Sequence, residues 1–499
     1  MLVESIAARL DRSAAATLSG QVYDVIRQLI LDEALKAGQR LPSSRQLAAD
    51  LAIARNTVID AFAQLSDEGY LESRIGAGSF VARTLPEARM HAEPGAQPGA
   101  RPGVPPGVPP PTRAAMVRNA ALSRRALAVL AEPAIMEGGA FAPSMPDLTH
   151  FPFELWQRLV SKAWRGVRAS DTRYASNGGH PDLRMAIAEH VQLARQVRCN
   201  ASQVIVVNGA QHGLDLCARL LADAGERVWV EDPGYPGARR AFRAADLELV
   251  PVPLDDEGMA PAARHHRRAP RLIYLTPSHQ FPTGTVMSLQ RRRALLDVAA
   301  RHRSWIIEDD YDGEFRFSGR PIASLQGIDP AQRVIYVGTF SKAMFPGLRL
   351  GYLVVPESIS QRFADAAAML AFEGRQVTQA ALAAFMREGH FSAHIRRMRL
   401  LYGERRALLE DVWRHELGEM APLGGGDTGI HMVAQLPLGT DVAISAQARE
   451  AGIIAQSLHS LYLGRPDRAG LVLGYGAMHE RAIRQQGVAL ARIVQRALA

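Results

Sequence analysis

One proline- and glycine-rich stretch divides this chain into parts that must fold separately. From Pro94 to Pro111, 12 of 18 residues are proline or glycine, and glycine recurs at every fourth position from Gly95 to Gly107. Such a segment buries too little side chain to fold, and its prolines stiffen it. Extended as a polyproline helix it would span roughly 55 Å. We predict a semi-rigid spacer between two folded parts, with an insertion of no particular role as the alternative.

Length and composition narrow the class of protein. The chain has 499 residues, of which 47% are hydrophobic and 22% charged, as in globular proteins of two or three domains. Its net charge of +8 permits a polyanionic partner. The two cysteines, Cys199 and Cys217, argue against a secreted disulfide scaffold. No run of 18 apolar residues or secretion signal is present, so we expect a cytoplasmic protein without membrane contact.

The segment before the spacer has the pattern of a small helical domain that ends in a β-hairpin. Apolar residues fall on one face of three successive helical segments, at Val22–Ile30, Leu47–Leu51 and Val58–Leu65. Two short strand-like runs with glycines between them follow, up to Val81. We therefore predict a winged helix-turn-helix domain over residues 14–83, followed by a linker over 84–130.

Four motifs of this segment resemble the GntR family of winged-helix regulators: LPSSRQLA at 41–48, RNTV at 55–58, GYL at 69–71 and GAGSFV at 76–81. The resemblance implies that Arg45, Arg55, Asn56 and Thr57 face DNA and that Gly78 lies at the wing tip. Arg55 and Asn56 open the third helix, where arginine can read guanine and asparagine adenine. The family's usual Ser or Thr helix cap is replaced here by Ala54.

Electrostatics alone would not have suggested DNA binding. The segment 18–83 holds seven Lys/Arg and eight Asp/Glu, so it is slightly acidic. DNA contact therefore requires that Arg40, Arg45, Arg55 and Arg74 share one face of the domain. For Asn56 and Thr57 an ordinary surface role stays open.

After the linker, short apolar runs alternate with helical patterns through residues 131–499. The strand-like runs predict a mostly parallel sheet covered by helices, an α/β fold; they lie at 204–207, 228–230, 272–275, 305–307, 334–337 and 350–355. Ligands of such sheets collect at the carboxyl ends of the strands. A functional site is expected at that edge.

Chemically useful side chains follow two of these strands. Asp309 and Tyr311 come after the run 305–308, and Thr339, Ser341 and Lys342 come after the run 334–337, with Arg349 seven residues later. A lysine amine, an acid, a phenol, two hydroxyls and a guanidinium are the groups needed to hold pyridoxal 5′-phosphate (PLP). No metal site is predicted.

The body resembles fold-type I aminotransferases, and together with the head it resembles the MocR branch of the GntR family. The resemblance rests on EDPGYPG at 231–237, TPSHQFPTG at 276–284, EDDYDGEF at 308–315 and GTFSK at 338–342. It implies that Lys342 forms the Schiff base, that Asp309 pairs with the pyridine nitrogen and that Tyr311 bonds the ring oxygen.

The resemblance assigns further cofactor contacts. Thr339, Ser341, Arg349 and the helix start at Ala210 and Gln211 would bind the phosphate, while Tyr235 would stack on the ring. His279 and Gln280 would lie near the ring oxygen, and Tyr174 would reach a phosphate in the partner subunit of a head-to-tail homodimer. Asp310 and Asp312 could instead form a helix-capping acidic cluster, so Asp309 is assigned by family register.

Two departures from the family pattern bear on activity. Ala210 stands where many relatives have a serine, so one phosphate contact is absent. The C-terminal strand near Leu471 and Val472 lacks the arginine with which aminotransferases usually hold a substrate carboxylate, and Arg468 is the nearest candidate.

The resemblance implies a PLP-dependent DNA-binding transcriptional regulator whose body senses PLP or an amine or amino-acid effector, in vitamin B6 or amino-compound metabolism. An active aminotransferase with a fused DNA-binding head is the alternative, and residual transaminase activity is compatible with the first reading. A third reading makes the body a dimerisation scaffold only.

Overall fold

The computed structural model describes residues 2–11, 17–74, 78–83, 122–132, 138–168, 178–317, 323–371, 375–425 and 427–499. The chain divides into two compact units, within 1–117 and 118–499. The predicted spacer and Tyr174 lie outside the described residues.

The head is a small helical domain with a two-stranded antiparallel sheet. Its elements are α1 (Leu2–Ala7), α2 (Leu18–Leu31), α3 (Ser44–Asp50), α4 (Arg55–Asp67), β1 (Leu71–Arg74) and β2 (Gly78–Val81). Helix α4 packs on both α2 and α3 around an apolar core that includes Ile26, Leu47 and Phe62. The predicted winged helix-turn-helix is therefore confirmed in its elements, with α1 added.

Helix caps decide where the two helices of the DNA-binding motif begin. The Ser43 hydroxyl accepts a hydrogen bond from the Gln46 backbone N–H at 3.2 Å and starts α3. Helix α4 begins after Ala54, which makes no side-chain cap bond. The first turn of α4 thus has no side-chain cap, although the Thr57 N–H donates to the Ala54 carbonyl oxygen at 3.1 Å.

One helix lies inside the segment that the sequence assigned to the linker. Helix α5 (Arg124–Leu130) starts at a Ser123 cap and belongs to the second unit. Just after it, the nearly buried Glu132 forms ion pairs with Arg239 at 3.0 Å and Arg243 at 2.9 Å. The linker prediction missed this helix because its anchor is an ion pair with residues more than 100 positions away.

The body is built on an eight-stranded sheet in the order β3-β10-β9-β8-β7-β4-β5-β6. The strands are β3 (Val204–Val207), β4 (Arg227–Asp232), β5 (Glu248–Asp255), β6 (Gly258–Met259), β7 (Leu272–Leu275), β8 (Trp305–Asp310), β9 (Val334–Thr339) and β10 (Gly351–Val354). Strands β5, β4, β7, β8 and β9 pair in parallel, whereas β10 runs antiparallel to both its neighbours. The mostly parallel sheet is confirmed.

Helices cover both faces of this sheet. Alternate residues of a strand point to opposite faces, and Ile307 and Ile335 join one apolar cluster whereas Ile306 and Val334 join another. The helices are α6 (Phe153–Arg165), α7 (Pro181–Arg195), α8 (Ala210–Leu221), α9 (Pro236–Ala244), α10 (Ala263–His266), α11 (Leu289–His302), α12 (Glu357–Ala371), α13 (Gln376–Arg387) and α14 (His390–Leu417). Burial on both faces explains why the strands read as continuous apolar runs.

The body also contains a second, antiparallel sheet, and this sheet was not predicted from the sequence. It has the order β11-β12-β14-β13, and α15 and α16 accompany it. The elements are β11 (Leu423–Gly424), β12 (His431–Leu436), α15 (Asp441–Glu450), β13 (Gln456–Ser457), β14 (Ala469–Gly474) and α16 (Glu480–Leu498). Within the described residues, no helix combines the length and apolarity needed to cross a bilayer.

Candidate functional site

A cavity of about 230 Å³ lies at the carboxyl ends of the central strands. Strands β3, β4, β7, β8 and β9 all end at this edge because they run in one direction. Nine of the eleven predicted cofactor residues line it: Ala210, Gln211, Tyr235, Asp309, Tyr311, Thr339, Ser341, Lys342 and Arg349. The fold therefore brings together residues that are up to 139 positions apart in sequence.

Lys342 projects from the turn after β9 into this cavity. Its Nζ donates a hydrogen bond to the Ser144 carbonyl oxygen at 2.5 Å. Burial lowers the pKa of its amine to about 8, although Asp312 and Asp309 nearby favour the charged form. A larger share of the amine is therefore unprotonated near neutral pH than in an exposed lysine, and the unprotonated amine is the form that attacks a carbonyl.

Asp309, the penultimate residue of β8, is buried in the cavity wall. Its Oδ2 accepts a hydrogen bond from the Tyr274 hydroxyl at 2.8 Å, while Oδ1 is buried without a hydrogen-bond partner among the described residues. Burial raises the pKa of this carboxyl group to about 7. An unsatisfied carboxylate oxygen in a cavity wall is suited to a cationic N–H group of a ligand.

The two neighbouring acids, Asp310 and Asp312, bind other side chains and so have different roles from Asp309. Asp310 forms a bidentate pair with Arg195, at 2.6 and 2.8 Å, and accepts from the Tyr336 hydroxyl. Asp312 lies 2.9 Å from Nδ1 of the buried His279. The two acids therefore form buried ion pairs and not a helix-capping cluster.

His279 and Gln280 lie outside the cavity wall. His279 sits behind Tyr311, with its Nδ1 3.0 Å from the Tyr311 hydroxyl. The pKa of its imidazole is raised because Asp312 outweighs the opposing effect of burial. The Gln280 side chain donates to Glu231 at 3.2 Å and to the Pro233 carbonyl at 3.0 Å. His279 can thus act on a ligand only through Tyr311, because its ring nitrogens face Asp312 and the Gly425 carbonyl.

The remaining predicted contacts form a polar end of the cavity. The Thr339 hydroxyl donates to the Ser341 hydroxyl at 3.0 Å and accepts from the Ser341 backbone N–H at 3.1 Å. Helix α8 begins at Ala210, after Gly209 in a left-handed conformation, φ 83°. A Cβ at Gly209 would stand 3.9 Å from the Arg349 guanidinium carbon, so this arginine lies against the helix start. Open N–H groups and a guanidinium make an anion site.

Several residues of the cavity were missed by sequence reasoning: Ser144, Arg240, Tyr274, Thr276, Phe281 and Pro346. Tyr274 and Thr276 lie in or just after β7, so the rule that strand ends carry ligands could have found them. Ser144 and Arg240 come from a loop and the middle of a helix. No local signal marks them.

The end of the cavity near β14 is apolar. Val472 is fully buried in a cluster with Phe281, Leu458 and Leu461, against which Tyr235 and Tyr311 pack. Arg468 lies outside the cavity lining and is 3.6 Å from Asp256. The arginine that would clamp a substrate carboxylate is therefore absent from the described part of β14.

In the head, Arg45, Arg55 and Asn56 are exposed and Thr57 is half-buried. Gly78, which is expected at the wing tip, is the first residue of β2 and pairs with Arg74. Its φ of 104° and the Arg40 guanidinium 3.4 Å from its would-be Cβ explain the glycine. Residues 75–77 and the Arg74 side chain are outside the described residues, so Arg40 is the one of these arginines that is placed beside the strands.

We expect Arg55→Ala to weaken operator binding by about 10- to 100-fold, because one charged base or phosphate contact is lost from the first turn of α4. The measurement is a binding titration with DNA selected in vitro by the wild-type protein. Lys36→Ala, which removes an exposed charge from a loop of the same head, is the control. Equal losses in the two variants would contradict a specific contact.

Comparison with known proteins matches both halves of the chain. Residues 18–81 match the family described as bacterial regulatory proteins, gntR family, and residues 150–469 match aminotransferase class I and II. The probable rhizopine catabolism regulatory protein MocR of Rhizobium meliloti is 38% identical over 95% of this chain and 93% of that protein. The pyridoxine biosynthesis transcriptional regulator PdxR of Corynebacterium glutamicum is 29% identical over 95% of each.

Among solved structures, the α-aminoadipate aminotransferase LysN of Thermus thermophilus resembles the body with a TM-score of 0.68 and 25% identity. The match covers 76% of this chain and 98% of that chain, which was solved with N-(5′-phosphopyridoxyl)-L-leucine. A gntR-type head joined to an aminotransferase-like body defines the class, a PLP-dependent transcriptional regulator. Within this class, the chain belongs to the MocR branch of the gntR family.

Proposed function

We propose that this regulator senses PLP itself and changes its DNA binding when the cavity fills. The observation that carries the proposal is that one cavity holds both Lys342, whose amine has a lowered pKa, and Asp309, whose Oδ1 has no hydrogen-bond partner among the described residues. The likeness to a pyridoxine biosynthesis regulator supports vitamin B6 supply as the controlled process.

The residues fit this cofactor. When bound, PLP supplies an aldehyde that condenses with an amine and a cationic ring that withdraws electrons. Asp309 Oδ1 is suited to keep a proton on the pyridine nitrogen, and Tyr311 presents its hydroxyl to the same cavity. Thr339, Ser341, Arg349 and the start of α8 would hold the phosphate. Lys342 Nζ would have to leave the Ser144 carbonyl to react.

The apolar end of the cavity favours PLP over an α-amino acid as the signal. A carboxylate placed near Val472 and Phe281 would lose its hydration without gaining a charge partner from β14. An amine without a carboxylate is the effector class that remains compatible with this wall. In either case the ligand shifts the regulator only by binding one arrangement better than the other.

Titration of the full-length apoprotein with PLP tests this proposal. Operator affinity is expected to change by about 5- to 150-fold at saturating PLP, the usual range of coupling between two sites. Pyridoxine 5′-phosphate, which keeps the phosphate and has an alcohol in place of the aldehyde, is the matched control and should be inactive. An operator affinity that stays constant through PLP saturation would rule out PLP as the signal.

A working aminotransferase is a second candidate, because the lysine, acid and phenol of the chemistry are all in place around the cavity. The protein would then convert from the aldehyde to the amine form of its cofactor with an amino donor and return with a 2-oxo acid. Rapid multiple turnover, measured by absorbance with a panel of amines, would favour the enzyme. Slow or single turnovers favour the regulator.

We also propose that the protein works in the cytoplasm as a head-to-tail homodimer, with a head over 14–83, a linker from 84 and a body to 499. The supporting argument is the resemblance of Tyr174 to a tyrosine that reaches the partner's phosphate. Sedimentation at several concentrations would test the assembly, and a monomer that binds PLP with full affinity would contradict it.

A further inference from the structure

We propose that Arg240 is a second phosphate-binding arginine of the PLP site, acting beside Arg349. This inference rests on the proposed function and names the ligand group that Arg240 takes. Neither motif spacing nor the family resemblance pointed to this residue, which lies in the middle of helix α9 and lines the cavity.

The arginines of α9 face in two directions. Arg239 and Arg243, one turn apart, both pair with Glu132, at 3.0 and 2.9 Å. Arg240 is rotated by about 100° from Arg239 because a helix turns by that angle per residue. Unlike Arg239 and Arg243, Arg240 lines the cavity.

Arg240 shares a helix face with the residue that ties α9 to the expected phosphate end. Gly237 and Arg240 are three positions apart, so they lie on one face of α9. The Gly237 carbonyl accepts a hydrogen bond from the Gln211 side chain at 2.9 Å. Gln211 is the second residue of α8, whose open N–H groups mark the anion site. The face that carries Arg240 thus adjoins the start of α8.

Tyr235 indicates that both guanidinium groups lie close to the same side chain of the cavity wall. Burial dominates and raises the pKa of its phenol to about 12, and Asp309 adds to this. Arg240 and Arg349 both oppose the rise. Both cations therefore act on one hydroxyl, which also lines the cavity.

The chemistry of the site explains the need for a second cation. A phosphate monoester carries close to two negative charges at neutral pH. Ala210 has no side-chain hydroxyl, so the start of α8 offers an anion no neutral side-chain donor at this position. A second guanidinium supplies a charge-assisted donor instead. It also leaves no arginine of the described lining for a substrate carboxylate, in keeping with PLP as the signal.

The experiment compares PLP with pyridoxal, which has the same ring and aldehyde but no phosphate, on the full-length apoprotein. Arg240→Gln is expected to raise the Kd for PLP by about 10- to 100-fold and to change the Kd for pyridoxal less than threefold. Arg240→Lys, which keeps the charge, should recover part of the loss. Arg243→Gln removes a guanidinium of the same helix that pairs with Glu132 and does not line the cavity, and it should leave both constants unchanged.

Each outcome decides the matter. An unchanged Kd for PLP in Arg240→Gln would overturn the phosphate contact, and weaker binding of only amine effectors would assign Arg240 to them. Equal losses for PLP and pyridoxal in both Arg240 variants would show a structural role. If the wild-type protein captured neither aldehyde, the proposed function itself would fail. A large loss for PLP alone would support the inference.

Discussion

Replacing Lys342 with alanine is expected to abolish covalent capture of PLP completely, because no other amine lines the described cavity. The sequence contains three lysines, of which Lys36 and Lys162 are exposed on the surface. Borohydride reduction of the wild-type protein with PLP, followed by mass spectrometry of peptides, should place one label per chain on Lys342. Lys162→Ala should label like the wild type.

The same variant separates a sensor from a scaffold. A Lys342→Ala protein should bind operator DNA as the apoprotein does. PLP should no longer change that affinity, because the variant lacks the amine that bonds covalently to PLP. If the variant kept a full PLP-dependent change, the lysine would not be the sensing group. A wild-type protein whose DNA affinity never responds to PLP would favour the scaffold reading.

Asp309→Asn is expected to have two opposite effects, of which the first is a loss of PLP affinity of about 100-fold or more. The asparagine keeps the size of the side chain but removes the charge that holds a proton on the pyridine nitrogen. The loss should appear in absorbance titrations of PLP. An unchanged affinity would mean that the unpartnered Oδ1 does not meet the ring.

The second effect is greater stability of the apoprotein at neutral pH. Burial raises the pKa of Asp309 to about 7, above the value of about 3.9 in an unfolded chain. Its contribution is therefore fully present below about pH 4 and is lost as the pH rises to 7, a change of roughly 4 kcal/mol. Unfolding midpoints at pH 5 and pH 8 should differ less in Asp309→Asn than in the wild type.

Asp310→Asn is the matched control for this experiment because it changes the adjacent residue of the same strand. It removes the partner of the buried Arg195 and so should destabilise the protein at both pH values, by about 3–5 kcal/mol. Burial also raises the pKa of Glu231 to about 7. This residue therefore contributes to the pH dependence of stability in the wild type and in both variants. Destabilisation by Asp309→Asn at pH 8 would contradict the conclusion that the buried charge of Asp309 lowers the stability of the apoprotein.

Much of the cavity could be predicted because its residues follow strands that the sequence reveals. A buried strand of a parallel sheet is a continuous apolar run, and a polar residue directly after it lies at the ligand-binding edge. Asp309, Thr339 and Lys342 were found in this way. His279 was expected near the ring oxygen, and in the structure it lies behind Tyr311, because a motif of consecutive residues does not show which side chains turn inward.

The sequence alone determined the two-part organisation, the elements of the head and the strand edge that carries the site, since these depend on local composition and periodicity. Tertiary structure alone decided which of three adjacent acids faces the cavity, because Arg195 and His279 withdraw Asp310 and Asp312 from it. It also decided that Arg240 reaches the cavity and that Glu132 anchors a helix. Such pairings depend on distances between segments far apart in the chain, which no local pattern encodes.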